Sequence, residues 1–213
     1  MRIVELTEST KKNLLKDLLK RSPSSYGTYE QTVSEIVNNV KENGDKAVFE
    51  YTEKFDHFAL NSGNIRVTEE EIKEAYKEIP EDLIEVYRHS AANIRTFHEK
   101  QLRQSFIETR PDGSILGQRI TPIEKAGVYV PGGKAAYPSS VLMNVVPAKV
   151  AGGPKIVMTT PCIMEGKVNA GTLVAADIAG VDEIYKVGGA QAIAALAFGT
   201  ESVPKVDKIT GPG

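Results

Sequence analysis

The chain has 213 residues, of which 41% are hydrophobic and 25% are charged, and its formal net charge is −2. This composition suits a globular protein with an ordinary core, and it excludes the strongly basic surface that nucleic acid or an anionic membrane attracts. The single cysteine, Cys162, excludes an internal disulfide and a zinc site built from several thiolates. No segment resembles a signal peptide or a membrane span, so we expect a cytoplasmic protein.

Residues 1–124 are expected to be mainly helical, because their apolar side chains recur every three or four positions. The first such repeat comprises Leu14, Leu15, Leu18 and Leu19, and the stretch from Ser22 to Gly27 that follows is typical of a loop. A second helix is predicted to end near Asn43, and Asp45 is then predicted to cap a third. Thr68 and Glu71 have the spacing of a capping box, and a longer helix is predicted from Glu81 to about Leu102.

A β-hairpin is expected near residues 105–120. The segments Phe106 to Thr109 and Ile115 to Ile120 flank the turn residues Pro111-Asp112-Gly113. Proline fixes one backbone angle there and glycine permits unusual ones, which favours a tight turn. The hairpin completes the first predicted domain, residues 1–124, and carries no visible chemistry.

Residues 125–213 alternate between strand and helix patterns. Strands are predicted at Gly127 to Val130, Lys155 to Thr160, Glu183 to Val187 and Val206 to Thr210, and helices at Ser140 to Val150, Ala170 to Ile178 and Ala190 to Phe198. Pro147 is expected to limit or kink the first of these helices. Such alternation indicates right-handed crossovers and a parallel sheet. The fold class is therefore α/β: a helical N-terminal segment followed by an incomplete Rossmann-like parallel-sheet unit.

Three loops that follow predicted strands are rich in glycine. They contain Pro131-Gly132-Gly133, Gly188-Gly189-Ala190 and Gly211-Pro212-Gly213. Glycine lets a phosphate approach the backbone, and a following helix start offers free N–H groups. The pattern equally allows glycines that only make tight turns, and the ordinary GxGxxG dinucleotide fingerprint is absent.

Two side chains beside these loops are candidates for ligand contacts. Gln191 falls in the first turn of a predicted helix, where its carboxamide offers a donor and an acceptor to a ligand. Tyr129 ends a strand beside the Pro-Gly-Gly turn, where its ring can stack on a base. The alternative for Tyr129 is a half-buried core tyrosine, which the pattern alone favours.

The spacing of the histidines and the surroundings of the cysteine in the sequence do not indicate a metal site or a reactive thiol. His57, His89 and His98 show no HxxH or HExxH spacing, so we interpret them as surface or packing residues. Cys162 has no histidine near it in sequence that would act as a base, and we interpret it as a small loop or core residue. The run Glu69-Glu70-Glu71 suits a helix N-terminus and is assigned no further role.

Several longer segments resemble the histidinol dehydrogenase family. They are Gly127 to Gly133, Tyr137 to Gly152, Val187 to Ala195 and Val206 to Gly213, with weaker matches at Gly44 to Ala47 and Tyr51 to Asp56. The resemblance implies a cytosolic homodimer that oxidises L-histidinol to L-histidine in two steps through the aldehyde, with NAD as the oxidant and one zinc ion per site. It also implies that Tyr129 and Gln191 contact NAD.

The same resemblance implies that the catalytic machinery lies elsewhere. In the family, the zinc ligands and the Glu-His pair that moves protons come from the C-terminal half, so no residue of this chain is assigned a catalytic or zinc-binding role. We therefore expect a truncated fragment that is inactive alone. The alternatives are a stand-alone nucleotide-binding or interaction module without catalysis, and another NAD-linked enzyme such as an aldehyde dehydrogenase. The family segments argue against the latter.

Overall fold

The structure, a computed structural model, describes residue 5 and residues 7–12, 27–132, 136–163 and 165–212. The predicted leucine-rich helix near Leu14 and nearly all of the predicted loop from Ser22 to Gly27 lie outside the described residues. The chain divides into two compact units, residues 1–35 and 36–213. None of the helices that the structure describes has the length and hydropathy needed to cross a membrane.

From residue 27 to the hairpin, a stretch that the structure describes throughout, there are four helices, as the spacing of apolar residues predicts. They are α1 (Gly27–Asn43), α2 (Asp45–Asp56), α3 (Glu69–Glu78) and α4 (Glu81–Glu99). The capping box is confirmed: the Thr68 hydroxyl accepts from the Glu71 N–H at 3.2 Å, and the Glu71 carboxylate accepts from the Thr68 N–H at 2.9 Å. Pro80 separates α3 from α4, since its ring cannot continue a helix.

The prediction that Asp45 caps α2 is wrong. Gly44 is the N-cap residue, with φ at +55°, and Asp45 is the first helical residue. The Asp45 carboxylate instead accepts from the N–H of Ser202 at 3.2 Å and from its hydroxyl at 2.5 Å, while the Glu201 carboxylate accepts from the Asp45 N–H at 2.8 Å. The helix start is thus satisfied by a loop distant in sequence, which local pattern cannot reveal.

The predicted hairpin is confirmed as an antiparallel pair. It comprises β1 (Phe106–Thr109) and β2 (Ile115–Gln118), with Phe106 opposite Gln118. The second strand ends before Ile120, because the N–H of Ile120 donates to the Ser105 hydroxyl at 2.8 Å instead of continuing the ladder. All eight strand residues are exposed to solvent.

The parallel sheet is also confirmed, and the fold is α/β. Its strands are β3 (Lys125–Tyr129), β4 (Lys155–Thr159), β5 (Glu183–Tyr185) and β6 (Lys208–Thr210), in the order β5-β4-β3-β6. This order is that of the first four strands of a doubly wound sheet. β5 is shorter than predicted, because the N–H of Lys186 donates to the carbonyl of Ile65 at 2.8 Å and leaves the ladder.

The helices that connect these strands cover both faces of the sheet. They are α5 (Pro138–Val150), α6 (Ala170–Ala179) and α7 (Gly189–Phe198). Helices α5 and α6 pack with Val128, Ile156 and Met158 in one buried cluster. Helix α7 packs with Val157 and Val187 in the other. The alternation along β4 distributes its side chains between the two clusters, as expected for a strand buried on both faces.

Pro147 lies inside α5 without ending it. The helix continues to Val150, and the Ala151 N–H still bonds the Pro147 carbonyl at 2.9 Å. Residues from α3 and α4, such as Ala75 and Ile84, belong to the same buried cluster as α5 and α6. The domain boundary between residues 124 and 125 stays a prediction.

Candidate functional site

The carboxyl ends of the parallel strands meet at one edge of the sheet. The register pairs Tyr129 with Thr159 and Thr159 with Tyr185, so these three strands end at the same level. β6 joins this edge through the pairing of Val128 with Thr210. The glycine-rich loops that follow β3, β5 and β6 therefore emerge together, as the sequence predicts.

The order of the strands reverses between β3 and β6. The chain moves from β3 through β4 to β5 on one side, and then returns to place β6 on the other side of β3. In open α/β sheets, ligands bind in the crevice outside the carboxyl ends of the strands at such a switch point. The end of β3 at Tyr129 and the loop at Gly211 flank this crevice.

Gly211 passes directly over the end of β3. A Cβ atom at this position would lie 2.2 Å from the Tyr129 carbonyl oxygen, and φ of Gly211 is +145°. No larger residue fits there without moving one backbone away from the other. The glycine therefore has a steric function beyond that of making a turn, because it allows the two backbones to lie in contact.

Pro161 separates the two other glycine-rich loops. A Cβ on Gly132 would lie 2.4 Å from Pro161 Cγ, and a Cβ on Gly188 would lie 2.6 Å from Pro161 Cβ. The loops after β3, β4 and β5 are thus in close contact through one proline ring. Glycine is required at both positions because the Pro161 ring lies where a Cβ would be, and the approach of a phosphate to these loops stays a prediction.

Tyr129 is half-buried at the end of β3, and its hydroxyl accepts a hydrogen bond from the Gly189 N–H at 3.3 Å. The side chain therefore links β3 to the first residue of α7. Its environment matches the half-buried tyrosine that the pattern favoured, while its position beside the switch point keeps the ring next to the crevice.

Gln191 is the third residue of α7 and is only 1% exposed. Its carboxamide lies against the preceding turn, because a Cβ on Gly189 would be 2.7 Å from Gln191 Oε1. That oxygen has no hydrogen-bond partner among the described residues. An unpaired buried acceptor is costly, so this atom can gain free energy from a donor brought by a ligand or by water.

A buried ion pair near this edge is absent from the sequence predictions. The Lys186 side chain is 7% exposed, and its Nζ lies 2.5 Å from Glu71 Oε1. Glu71 thus pairs with Lys186 as well as capping α3, so the assignment of the glutamate run to helix capping alone was incomplete. No local signal identifies this partner, because 115 positions separate the two residues.

The histidines are confirmed as surface or packing residues. His57 and His89 are exposed, and the half-buried His98 lies with Nδ1 2.7 Å from Gln101 Oε1. Within the described part of the chain, no group of three or more His, Cys, Asp or Glu side chains has the arrangement of a metal site. The described residues therefore do not fit a zinc ion, and we assign them no part in zinc chemistry.

Cys162 is confirmed as a buried loop residue, 6% exposed. Burial raises the pKa of its thiol, the Asp56 carboxylate raises it further, and Lys186 opposes both. We expect iodoacetamide at neutral pH to alkylate the folded chain at least about tenfold more slowly than the chain in urea, because the thiolate is the reactive form. Mass spectrometry of timed samples measures both rates, and equal rates would contradict this environment.

Comparison with known proteins gives one consistent family. The model of the histidinol dehydrogenase family matches residues 19–213. Histidinol dehydrogenase of Clostridium acetobutylicum is 58% identical over 183 residues, which cover 86% of this chain and 42% of that protein. Histidinol dehydrogenase of Bacillus subtilis is 55% identical over 197 residues, covering 92% of this chain and 45% of that protein.

A solved structure agrees with these relatives. The crystal structure of histidinol dehydrogenase from Elizabethkingia anophelis matches with a TM-score of 0.81 and 39% identity, covering 86% of this chain and 42% of that one. The chain spans less than half the length of each of these relatives. The breadth and level of the similarity establish that the chain belongs to the histidinol dehydrogenase family.

Proposed function

We propose that this chain forms the NAD-binding part of a histidinol dehydrogenase, the enzyme that oxidises L-histidinol to L-histidine in histidine biosynthesis. The observation that carries this proposal is the reversal of strand order between β3 and β6, which places Tyr129 and Gly211 together at the carboxyl edge of the sheet. In the complete enzyme the chain works as part of a cytoplasmic homodimer that also binds zinc. The zinc ligands and the proton-transfer residues come from the remainder of the enzyme.

The residues at the crevice fit NAD in three respects. Helix α7 begins directly after Gly188 at the carboxyl edge of the sheet, and a helix start at that place favours a pyrophosphate. The Tyr129 ring supplies an aromatic face at the end of β3. Gln191 Oε1 supplies an acceptor that has no partner among the described residues. When bound, NAD supplies the hydride acceptor of the reaction.

Tyr129 and Gln191 have separate roles in this proposal. The Tyr129 ring packs against the nucleotide, while its hydroxyl accepts a hydrogen bond from the N–H of Gly189, the first residue of α7. Gln191 accepts a hydrogen bond from the ligand after its carboxamide turns from the Gly189 backbone towards the crevice. The two residues bind and orient NAD, and neither moves a proton in the reaction.

NAD⁺ titration of the purified chain by isothermal calorimetry tests this assignment. We expect Tyr129→Ala to weaken binding about tenfold or more, because stacking on an aromatic ring is worth about 1–3 kcal/mol per base. Tyr129→Phe keeps the ring and loses one hydrogen bond, so its NAD⁺ affinity is expected to be about fivefold lower.

Tyr76→Phe is the matched control, because it removes the hydroxyl that donates to Asp177 at 2.7 Å on the other face of the sheet. Its NAD⁺ affinity should equal that of the unaltered chain. Equal affinities for Tyr129→Ala and the unaltered chain would refute the assignment of Tyr129.

The alternative of a binding module without catalysis predicts the same NAD⁺ affinities. It differs in the effect of adding the catalytic half of a relative. The dehydrogenase proposal expects a fusion of this chain to the C-terminal half of the Bacillus subtilis enzyme to form NADH from L-histidinol. A folded fusion that binds NAD⁺ and stays inactive would favour the binding module.

A further inference from the structure

Asn144 on α5 uses both ends of its carboxamide. Its Nδ2 donates to the Ser140 carbonyl at 2.8 Å, and its Oδ1 lies 2.9 Å from the Thr210 hydroxyl. A carbonyl oxygen only accepts, so the NH₂ group must face Ser140 and the amide oxygen must face Thr210. The Thr210 hydroxyl is therefore the donor in the second bond. The chemistry of the partners fixes the orientation of the whole group.

Thr210 is the last residue of β6, which has only three residues. Among the described residues β6 pairs with β3, and Thr210 lies opposite Val128 at the end of that ladder. A strand of three residues has few backbone bonds in this ladder to fix its carboxyl end. The bond from Asn144 adds an anchor outside the ladder at the last paired residue.

The position of Thr210 determines where the following loop lies. Gly211 comes next, and its backbone passes so close to the Tyr129 carbonyl that a Cβ would lie 2.2 Å from that oxygen. A small displacement of Thr210 therefore changes the distance between the two backbones that flank the crevice. Asn144 reaches this point from α5, the helix that connects β3 to β4.

We propose that Asn144 is a positioning residue for the crevice at the β3–β6 switch point. Through its bond to Thr210 it holds the Gly211 loop against the end of β3 at Tyr129. This inference rests on the proposed function, because it assigns NAD to that crevice. Asn144 acts through Thr210 and touches no ligand.

NAD⁺ titration of the full chain with three variants tests the inference. Thr210→Val keeps the shape of the side chain and removes its hydroxyl, whereas Thr210→Ser keeps the hydroxyl. Asn144→Ala removes the acceptor. We expect Thr210→Val and Asn144→Ala each to weaken binding about three- to tenfold, the weight of one hydrogen bond, while Thr210→Ser binds like the unaltered chain. The double variant should bind no more weakly than the weaker of the two single variants, because both changes remove the same bond between Asn144 and Thr210.

Amide hydrogen exchange along the β3–β6 ladder, followed by NMR without ligand, supplies an independent measurement. Faster exchange in Thr210→Val and Asn144→Ala than in Thr210→Ser supports the positioning role. Equal exchange in the three variants, equal NAD⁺ affinity of the valine and serine variants, or losses that multiply in the double variant would overturn it. Absence of NAD⁺ binding by the unaltered chain would reject the proposed function. The amide exchange rates would then still test whether Asn144 holds the Gly211 loop in place.

Discussion

A polypeptide of these 213 residues, supplied with L-histidinol, NAD⁺ and zinc, is expected to form no NADH above the rate of a blank reaction. Full-length histidinol dehydrogenase of Bacillus subtilis, assayed beside it, should be faster by at least about 10²-fold, because general acid–base catalysis alone contributes about 10²–10⁴-fold. The family resemblance assigns the zinc ligands and the proton-transfer pair to the other half of the enzyme. Under the proposed function this chain binds the oxidant and lacks the groups that prepare the alcohol for hydride loss.

NADH absorbance measured with and without zinc checks this result. The fusion to the catalytic half of the Bacillus subtilis enzyme serves as the positive control, since it contains the same N-terminal residues. Zinc-dependent turnover by the isolated chain would contradict the division of labour proposed here, because it would require a complete metal and proton-transfer site within these residues.

Substitution of Gly132 or Gly188 by alanine is expected to destabilise the fold by about 1–3 kcal/mol, the usual cost of overpacking a filled site. The methyl group added at position 132 would lie 2.4 Å from Pro161 Cγ, and the one added at position 188 would lie 2.6 Å from Pro161 Cβ. A proline ring cannot rotate away as a flexible side chain can, so the loops must separate. Urea unfolding followed by circular dichroism measures the change in free energy of unfolding.

The atoms involved predict which second substitution restores stability. Gly132→Ala meets Pro161 Cγ, which Pro161→Ala removes, and the remaining Cβ would lie at a comfortable 3.5 Å. Gly188→Ala meets Pro161 Cβ at 2.6 Å, which Pro161→Ala keeps. Pro161→Ala should therefore rescue the first variant and not the second, which needs Pro161→Gly. Equal rescue of both variants would show that the loops are not packed through this proline.

Much of the architecture follows from local patterns. Alternating apolar segments and glycine turns predicted the parallel sheet, because strands and their crossover helices each have a characteristic spacing of apolar residues in the sequence. The capping box of Thr68 and Glu71 was equally readable, since both partners lie within one helical turn. Tyr129 and Gln191 could be selected as candidates because each lies beside a glycine-rich loop at the end of a strand.

Contacts between distant residues were not predictable in this way. Asp45 looked like a helix cap, yet its carboxylate binds Ser202. Glu71 reaches Lys186, and Asn144 reaches Thr210. Each of these pairs depends on how helices and strands pack in space, and side-chain type alone does not specify the partner. The deep burial of Gln191 likewise results from the turn at Gly189, which folds the carboxamide back against the backbone.

NMR mapping of NAD⁺ on the isotopically labelled chain locates the nucleotide. We expect amide shifts to concentrate at the carboxyl edge of the sheet, around Tyr129, the turn from Gly188 to Gln191, and Gly211. A pattern centred on α3 and the start of α6, or saturating concentrations of NAD⁺ that shift no amide at all, would contradict the assignment of the β3–β6 crevice to the nucleotide.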